Sequence, residues 1–227
     1  MLRGAVRRLI IAIDGPTAAG KSTAGRGLAA RLGYVYIDTG AMYRAVGWQA
    51  LEERADFDDA ARLAEIASRI TIRLGGDPHR PTVTVDGRDV SELIRTPEVD
   101  AAASKVSTVP GVRAALVEQQ REMGREGGIV MDGRDIGTHV FPAADVKFFL
   151  SADPAVRAHR RHDENASKGR DESLAATLHA IEERDHRDTT RDAAPLRPAH
   201  DAVIFDTTEL TREALLAKML EIVRPRL

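Results

Sequence analysis

The sequence predicts an α/β fold in which a parallel sheet flanked by helices carries a small antiparallel insertion and a short lid. Three observations predict it. An apolar strand, a Gly-rich loop, a helix and a second strand follow one another between Leu9 and Ile37, which is the opening of a parallel sheet. Short apolar strands at Ile129–Met131, Val146–Leu150 and Ala202–Phe205 then recur among helical segments, in keeping with a parallel sheet. One pair of segments, Ile70–Leu74 and Thr82–Val85, instead alternates polar and apolar residues, the pattern of an antiparallel hairpin with one wet face.

Each element has a local reason. Leu9 to Asp14 is rich in β-branched residues and stops at Gly15-Pro16, a buried strand ending in a tight loop. Lys21 to Leu32 is helical and meets a C-cap at Gly33. Tyr34–Ile37 is a strand, and Ala41–Arg54 and Asp58–Ser68 are helices. The hairpin strands are joined by the turn-rich Gly75–Pro81. Glu98–Val109 and Val112–Glu126 read as helices, Ile129–Met131 as a buried strand, and Val146–Leu150 as the next. Pro154–Asn165 and Glu172–Asp185 are helical, with a polar, Gly-containing tip at Ser167–Asp171 between them. Ala202–Phe205 is the last strand and Leu210–Val223 the closing helix.

At 227 residues the chain sits at the upper end of one domain, with room for an insertion. Hydrophobic residues at 43% and charged residues at 30% describe a folded protein. The absence of cysteine excludes a disulfide framework, a thiolate metal site and a cysteine nucleophile, and fits a reducing compartment such as the cytoplasm. The N-terminal stretch has basic residues but too short an apolar segment for a secretion signal, and no run approaches the ~20 apolar residues of a membrane span. A net charge of −2 and 4% aromatics argue against a nucleic-acid partner. The seven histidines are scattered, and even His159 with His162 lacks the remaining ligands of a metal site, so they read as surface residues.

Gly15, Pro16, Thr17, Ala18, Ala19, Gly20, Lys21, Ser22 and Thr23 satisfy the phosphate-loop pattern and stand between a strand and a helix. Backbone N–H groups and the helix N-terminus cradle a polyphosphate there. Lys21 would reach the β- and γ-phosphates of ATP, and the Ser22 hydroxyl would help hold Mg²⁺. Such a loop alone leaves GTPase, ATPase motor, helicase and small kinase open; no guanine-reading Asn-Lys-x-Asp occurs. Asp38-Thr39-Gly40-Ala41-Met42-Tyr43-Arg44 follows the second strand, where Asp38 or Thr39 can be a plain N-cap and Arg44 can hold a second phosphate. Asp-Gly-Arg-Asp occurs twice, at 86–89 and 132–135. The first reads as a hairpin turn; the second ends an apolar strand, where α/β sheets bind ligands. Arg157, Arg160 and Arg161 share a helix with Lys168 and Arg170 beyond it, as either a solvated basic face or a lid over ATP. Arg184, Arg187 and Arg191, three and four apart, share roughly one face.

From the phosphate loop through Asp38–Arg44 and Asp132–Thr138 to Glu183–Arg191, the chain resembles the bacterial cytidylate kinases over essentially its whole length. The resemblance implies a core over 1–38 and 105–227, a lid at about 157–172 and a monophosphate-binding insertion over 39–104. It implies transfer of the γ-phosphoryl group of ATP, bound with Mg²⁺, to CMP or dCMP by a cytoplasmic monomer. It places Arg44 and Arg134 on the acceptor phosphate, Ser104, Arg113 and Asp135 around the cytosine, and Arg184, Asp188 and Arg191 near sugar and phosphates. Asp38 and Thr39 join that acceptor set, and Lys21, Arg134, Arg161 and Arg191 form the catalytic set. Cytosine offers an amino donor at N4 and acceptors at N3 and O2, which a carboxylate beside a guanidinium complements; uracil does not. Ala18 stands where related kinases often carry Gly, and Thr39 where many have Ser. A kinase for UMP, shikimate or another small acceptor, and a nucleotide-dependent switch without turnover, are the alternatives.

Overall fold

A computed structural model describes residues 8–78, 80–167 and 169–227. The N-terminal basic stretch up to residue 7, His79 and Lys168 lie outside it. Strand β1 (Ile10–Asp14) leads through the phosphate loop into α1 (Lys21–Leu32), followed by β2 (Val35–Asp38), α2 (Thr39–Glu52) and α3 (Ala60–Arg69). The insertion's strands are β3 (Ile72–Asp77), β4 (Arg80–Val85) and β5 (Arg88–Asp89). Helices α4 (Pro97–Val106) and α5 (Pro110–Met123) return the chain to β6 (Ile129–Gly133) and β7 (Val146–Ser151). The chain closes with α6 (Pro154–Ser167), α7 (Leu174–Thr190), β8 (Val203–Asp206) and α8 (Arg212–Val223). Among the described residues the strands form a five-stranded parallel sheet in the order β2-β6-β1-β7-β8 and a three-stranded antiparallel sheet β3-β4-β5.

The helices begin and end where side chains satisfy their free backbone groups. Gly20 and Gly33 bracket α1 at φ 94° and 65°, and Gly33 N–H closes onto Ala29 O. Asp38, Asp59, Thr96, Ser173 and Thr211 cap α2, α3, α4, α7 and α8 through side-chain oxygens. Because Asp38 is the cap, α2 starts at Thr39, two residues earlier than its apolar pattern. The expected helix 98–109 stops at Val106, since Pro110 holds Val109 extended (ψ 117°). The hairpin pairs as far as Asp77 with Arg80, so Gly75 and Gly76 belong to a strand and not to the turn. Helix α7 runs five residues past its expected end and carries Asp188. The first Asp-Gly-Arg-Asp is a turn between β4 and β5, as expected.

Two apolar clusters flank the large sheet, and a third joins α2, α3, α4, α5 and the small sheet through Met42, Leu63, Ile66, Val85 and Leu116. The carboxyl edges of β1, β6 and β2 therefore open between two packed bodies of side chains. Parallel register puts Asp38 opposite Asp132, with Asp132 next to Ile13. No described helix is long and apolar enough to cross a membrane.

Candidate active site

A cleft of about 700 Å³ runs along that edge from the phosphate loop to α4 and α5. Eleven arginines and Lys21 line it against six carboxylates, an excess of positive charge that a polyanion would neutralise. The arginines come from α1, α2, the segment before α4, α5, the turn after β6, α6, α7 and α8, so only tertiary structure assembles them.

At the phosphate-loop end, Lys21 Nζ donates to Pro16 O at 2.6 Å, folding the loop around its own lysine. Gly15 holds φ 146°, and a Cβ there would meet Leu150 O at 2.0 Å. Ala18 sits at φ 60°, left-handed backbone that glycine adopts without penalty. Burial, reinforced by Arg134, lowers the Lys21 ammonium to about 7. Ser22 Oγ and Tyr36 Oη both donate to Asp132 Oδ2, at 2.8 and 3.0 Å. Burial and then the Asp38 charge raise Asp132 to about 6.

The end of the cleft toward α4 and α5 is a lattice of opposite charges. Arg44 pairs with Asp38 at 3.0 Å, and Asp38 also caps α2 by accepting from Ala41 N–H. Burial raises the Asp38 carboxyl, but Arg44 and the cap outweigh it and hold it below the usual range. Arg134 donates from Nε to Asp188 at 2.8 Å and from Nη2 to Thr17 Oγ1 at 2.8 Å, bridging α7 to the phosphate loop. Arg113 and Asp135 form a buried pair at 2.5 Å, with Arg191 3.7 Å from Asp135 and 3.9 Å from Asp188. Burial lowers Arg184 to about 10, with Arg134 the next contributor, so Arg184 keeps its charge at neutral pH.

Of the expected residues, Thr17 to Thr23, Asp38, Thr39, Arg44, Arg113, Arg134, Asp135, Arg161, Arg184, Asp188 and Arg191 all line this one cleft. Gly15 and Pro16, the first residues of the loop, are not part of the lining. The Thr39 hydroxyl donates to Asp132 O at 2.7 Å and is buried, so it holds backbone. Ser104 lies half-buried on α4, its carbonyl accepting from Ser107 Oγ, while Ala103 and Ser107 form the lining. Arg187 is exposed and outside the cleft lining, the cleft-facing side of α7 being taken by Arg184 and Asp188, four residues apart.

The arginines of α6 divide. Arg157 is buried, donates to Thr17 O at 3.2 Å and pairs with Asp185 at 2.6 Å. Arg160 donates to Thr207 Oγ1 and O, and Thr207 in turn donates to Ala19 O. Both brace the phosphate loop through its carbonyl groups, Arg157 directly from outside the cleft lining and Arg160, on that lining, through Thr207. Arg161, and Arg170 beyond the helix, instead reach across the cleft to Asp100 of α4 at 3.4 Å. Among the histidines, His162 departs from the surface reading: it is half-buried and its Nδ1 is enclosed.

A sequence model of the cytidylate kinase family matches residues 11–225. The chain belongs to the cytidylate kinase family. A cytidylate kinase of Solibacter usitatus is 49% identical over 222 residues, covering 97% of this chain and 94% of the relative. One from Bacillus velezensis is 47% identical over 220 residues, covering 97% and 98%. The crystal structure of an uncharacterized protein from Eubacterium ventriosum, 9% identical, aligns with TM-score 0.52 over 96% of this chain and 99% of that one, and so shares the fold. Within this family member, Asp132 and Asp100 join the site although neither is among the expected site residues, while Arg157 and Arg160, expected on a basic face or a lid over ATP, support the phosphate loop. The one available signal was for Asp132, an acid ending an apolar strand beside the phosphate loop's strand.

Proposed function

We propose that the protein transfers the γ-phosphoryl group of ATP to CMP or dCMP, releasing ADP and CDP or dCDP. The observation that carries this reading is one continuous arginine-lined cleft joining the phosphate loop to the buried Arg113–Asp135 pair. Family membership supports it, and both relatives above bear the name cytidylate kinase.

The acceptor's phosphate oxygen is ionised at neutral pH and attacks the γ-phosphorus in line; the bond to the β–γ bridging oxygen breaks and that oxygen leaves with ADP. Lys21 and the loop amides hold the donor. Arg44, Arg134, Arg184 and Arg191 hold the acceptor phosphate and the charge that spreads over the transferring group. Asp188, held ionised by Arg134 and Arg184 against its burial, keeps that cluster from repelling itself. Asp135 accepts from cytosine N4 while Arg113 donates toward N3 and O2. Arg161 exchanges Asp100 for the polyphosphate when the donor binds.

The hydroxyl of Ser22 beside the carboxylate of Asp132 is a hard-oxygen pair of the kind Mg²⁺ takes, with phosphate oxygens and water completing its shell. Bound there, Mg²⁺ would supply charge neutralisation to the donor's phosphates. We assign residues 39–104 as the acceptor-binding insertion, residues 157–172 as the lid and the remainder as the core. The protein acts as a cytoplasmic monomer without a nucleic-acid partner, in keeping with its near-neutral charge. Initial rates of ADP release with CMP, dCMP, UMP, AMP and shikimate test this reading. CMP and dCMP should dominate, and a faster rate with any other acceptor contradicts it.

A further inference from the structure

Asp14 ends β1 one residue before the phosphate loop, is 3% exposed, and has no part in the mechanism above. Its carboxylate faces the neighbouring β6 segment. Oδ1 accepts from Ile136 N–H and Oδ2 from Gly137 N–H, each at 2.8 Å. These amides open the π-turn Ile136–Val140 that follows directly on Arg134 and Asp135. Thr39 Oγ1 holds the other end of the same segment through Asp132 O. The segment has no slack: a Cβ on Gly137 would meet Lys147 Cδ at 3.1 Å and Asp14 Oδ2 at 3.3 Å, and one on Gly133 would meet Thr39 Oγ1 at 2.7 Å.

Accepting a bond on each oxygen favours the ionised acid, because protonation weakens the hydroxyl oxygen as an acceptor and adds a donor beside the amides. The charged groups facing Asp14 are Lys21 from α1, Asp135 from the turn and the stem of Lys147 from β7, whose Nζ is turned away to Asp201 and Pro142 O. We propose that Asp14 is a positioning residue for acceptor recognition: its ionised carboxylate fixes the turn that presents Asp135 to the base and Arg134 to the phosphates. It thereby ties the strand feeding the donor loop to the acceptor site. Burial, partly offset by the two amide bonds, raises Asp14 to about 6, so the clamp loosens in mild acid.

The inference rests on the reading of Asp135 as the base contact, so three proteins are compared: wild type, Asp135→Asn and Asp14→Asn. The readout is the ratio of kcat/KM for CMP to that for UMP, in which any effect on ATP through the adjacent Gly15 cancels. Asparagine offers one acceptor oxygen and an NH₂, so one of the two amides faces a donor. The ratio should fall by about fivefold or more in Asp14→Asn. A smaller fall there, with a large one in Asp135→Asn, overturns the role of Asp14; no fall in Asp135→Asn overturns the base contact itself. If Asp14→Asn does not fold, wild type decides. The Ile136 and Gly137 amide shifts and the Kd for cytidine, which carries no phosphate, are followed from about pH 5 to 8. Coincident midpoints near 6 support the clamp, and a cytidine Kd that stays flat through that range overturns it.

Discussion

Replacing Asp135 by asparagine keeps the shape of the side chain and removes one charge, which isolates what that charge does. In the structure it faces Arg113 at 2.5 Å and Arg191 at 3.7 Å, with both members of the Arg113–Asp135 pair under a tenth exposed. Deleting one partner of such a pair costs about 3–5 kcal/mol, and asparagine, which retains an acceptor for Arg113, should cost about 2–3. At ~2–4 °C per kcal/mol for a chain of this length, Tm falls by roughly 4–12 °C. The acceptor loses a charge-assisted bond from cytosine N4 worth about 1.5–3 kcal/mol, so kcat/KM for CMP falls roughly 10- to 150-fold. UMP should lose little, since an amide can donate to O4. Coupled ADP-release kinetics with both acceptors, on protein whose Tm has been measured, read both numbers. Equal losses for CMP and UMP would refute base recognition by Asp135 even if the stability change came out as stated.

Four further outcomes follow from the same geometry. Lys21→Met should lower kcat by at least ~100-fold in the ADP-release assay while leaving Tm unchanged or raised, since it removes a buried ammonium held by Pro16 O and nearby carboxylates. In wild type, ATP should restore the Lys21 proton on binding: at pH 8, above its lowered value of about 7, calorimetry in two buffers of different ionisation enthalpy should show uptake approaching one proton, and at pH 6 little from this group. Ala18→Gly relieves a left-handed alanine and should raise Tm by a few degrees, about 1 kcal/mol, without loss of ATP affinity. Gly15→Ala drives a methyl into Leu150 O and should cost about 3 kcal/mol or more, read as a Tm drop above ~6 °C in a thermal melt.

What the sequence made legible was local. The phosphate loop, the strand ends at Asp38 and Asp132, and Arg44 and Arg134 could be marked because each lies beside a turn, a cap or the end of an apolar run, whereas Arg113 and Arg191 were placed by the resemblance to the cytidylate kinases. What it hid was partnership at long range. Whether Arg157 faces ATP or a carbonyl behind the loop depends on Asp185 and Thr17, and the second lies 140 residues away. Arg160 is likewise committed by Thr207, and Asp14 by two backbone amides that carry no side-chain signature. The face assigned to Arg187 failed because three residues fall short of a helical turn and four exceed it, so Arg187 and Asp188 stand on opposite sides of Arg184 and only Asp188 shares its cleft. The π-turn after Asp135 depends on main-chain geometry imposed by Asp14, and no residue within 136–140 announces it.

Selection of the acceptor by cytosine is tested most directly by competition in a single vessel. Equal concentrations of CMP and UMP, both well below their KM values, are mixed with limiting ATP labelled at the γ-phosphate, and the label is counted in CDP and UDP. The ratio of products equals the ratio of kcat/KM. A buried Arg113–Asp135 pair beneath an arginine-held phosphate predicts label in CDP over UDP by at least ~10-fold, falling toward parity in Asp135→Asn. Equal labelling of CDP and UDP by the wild-type protein would contradict it.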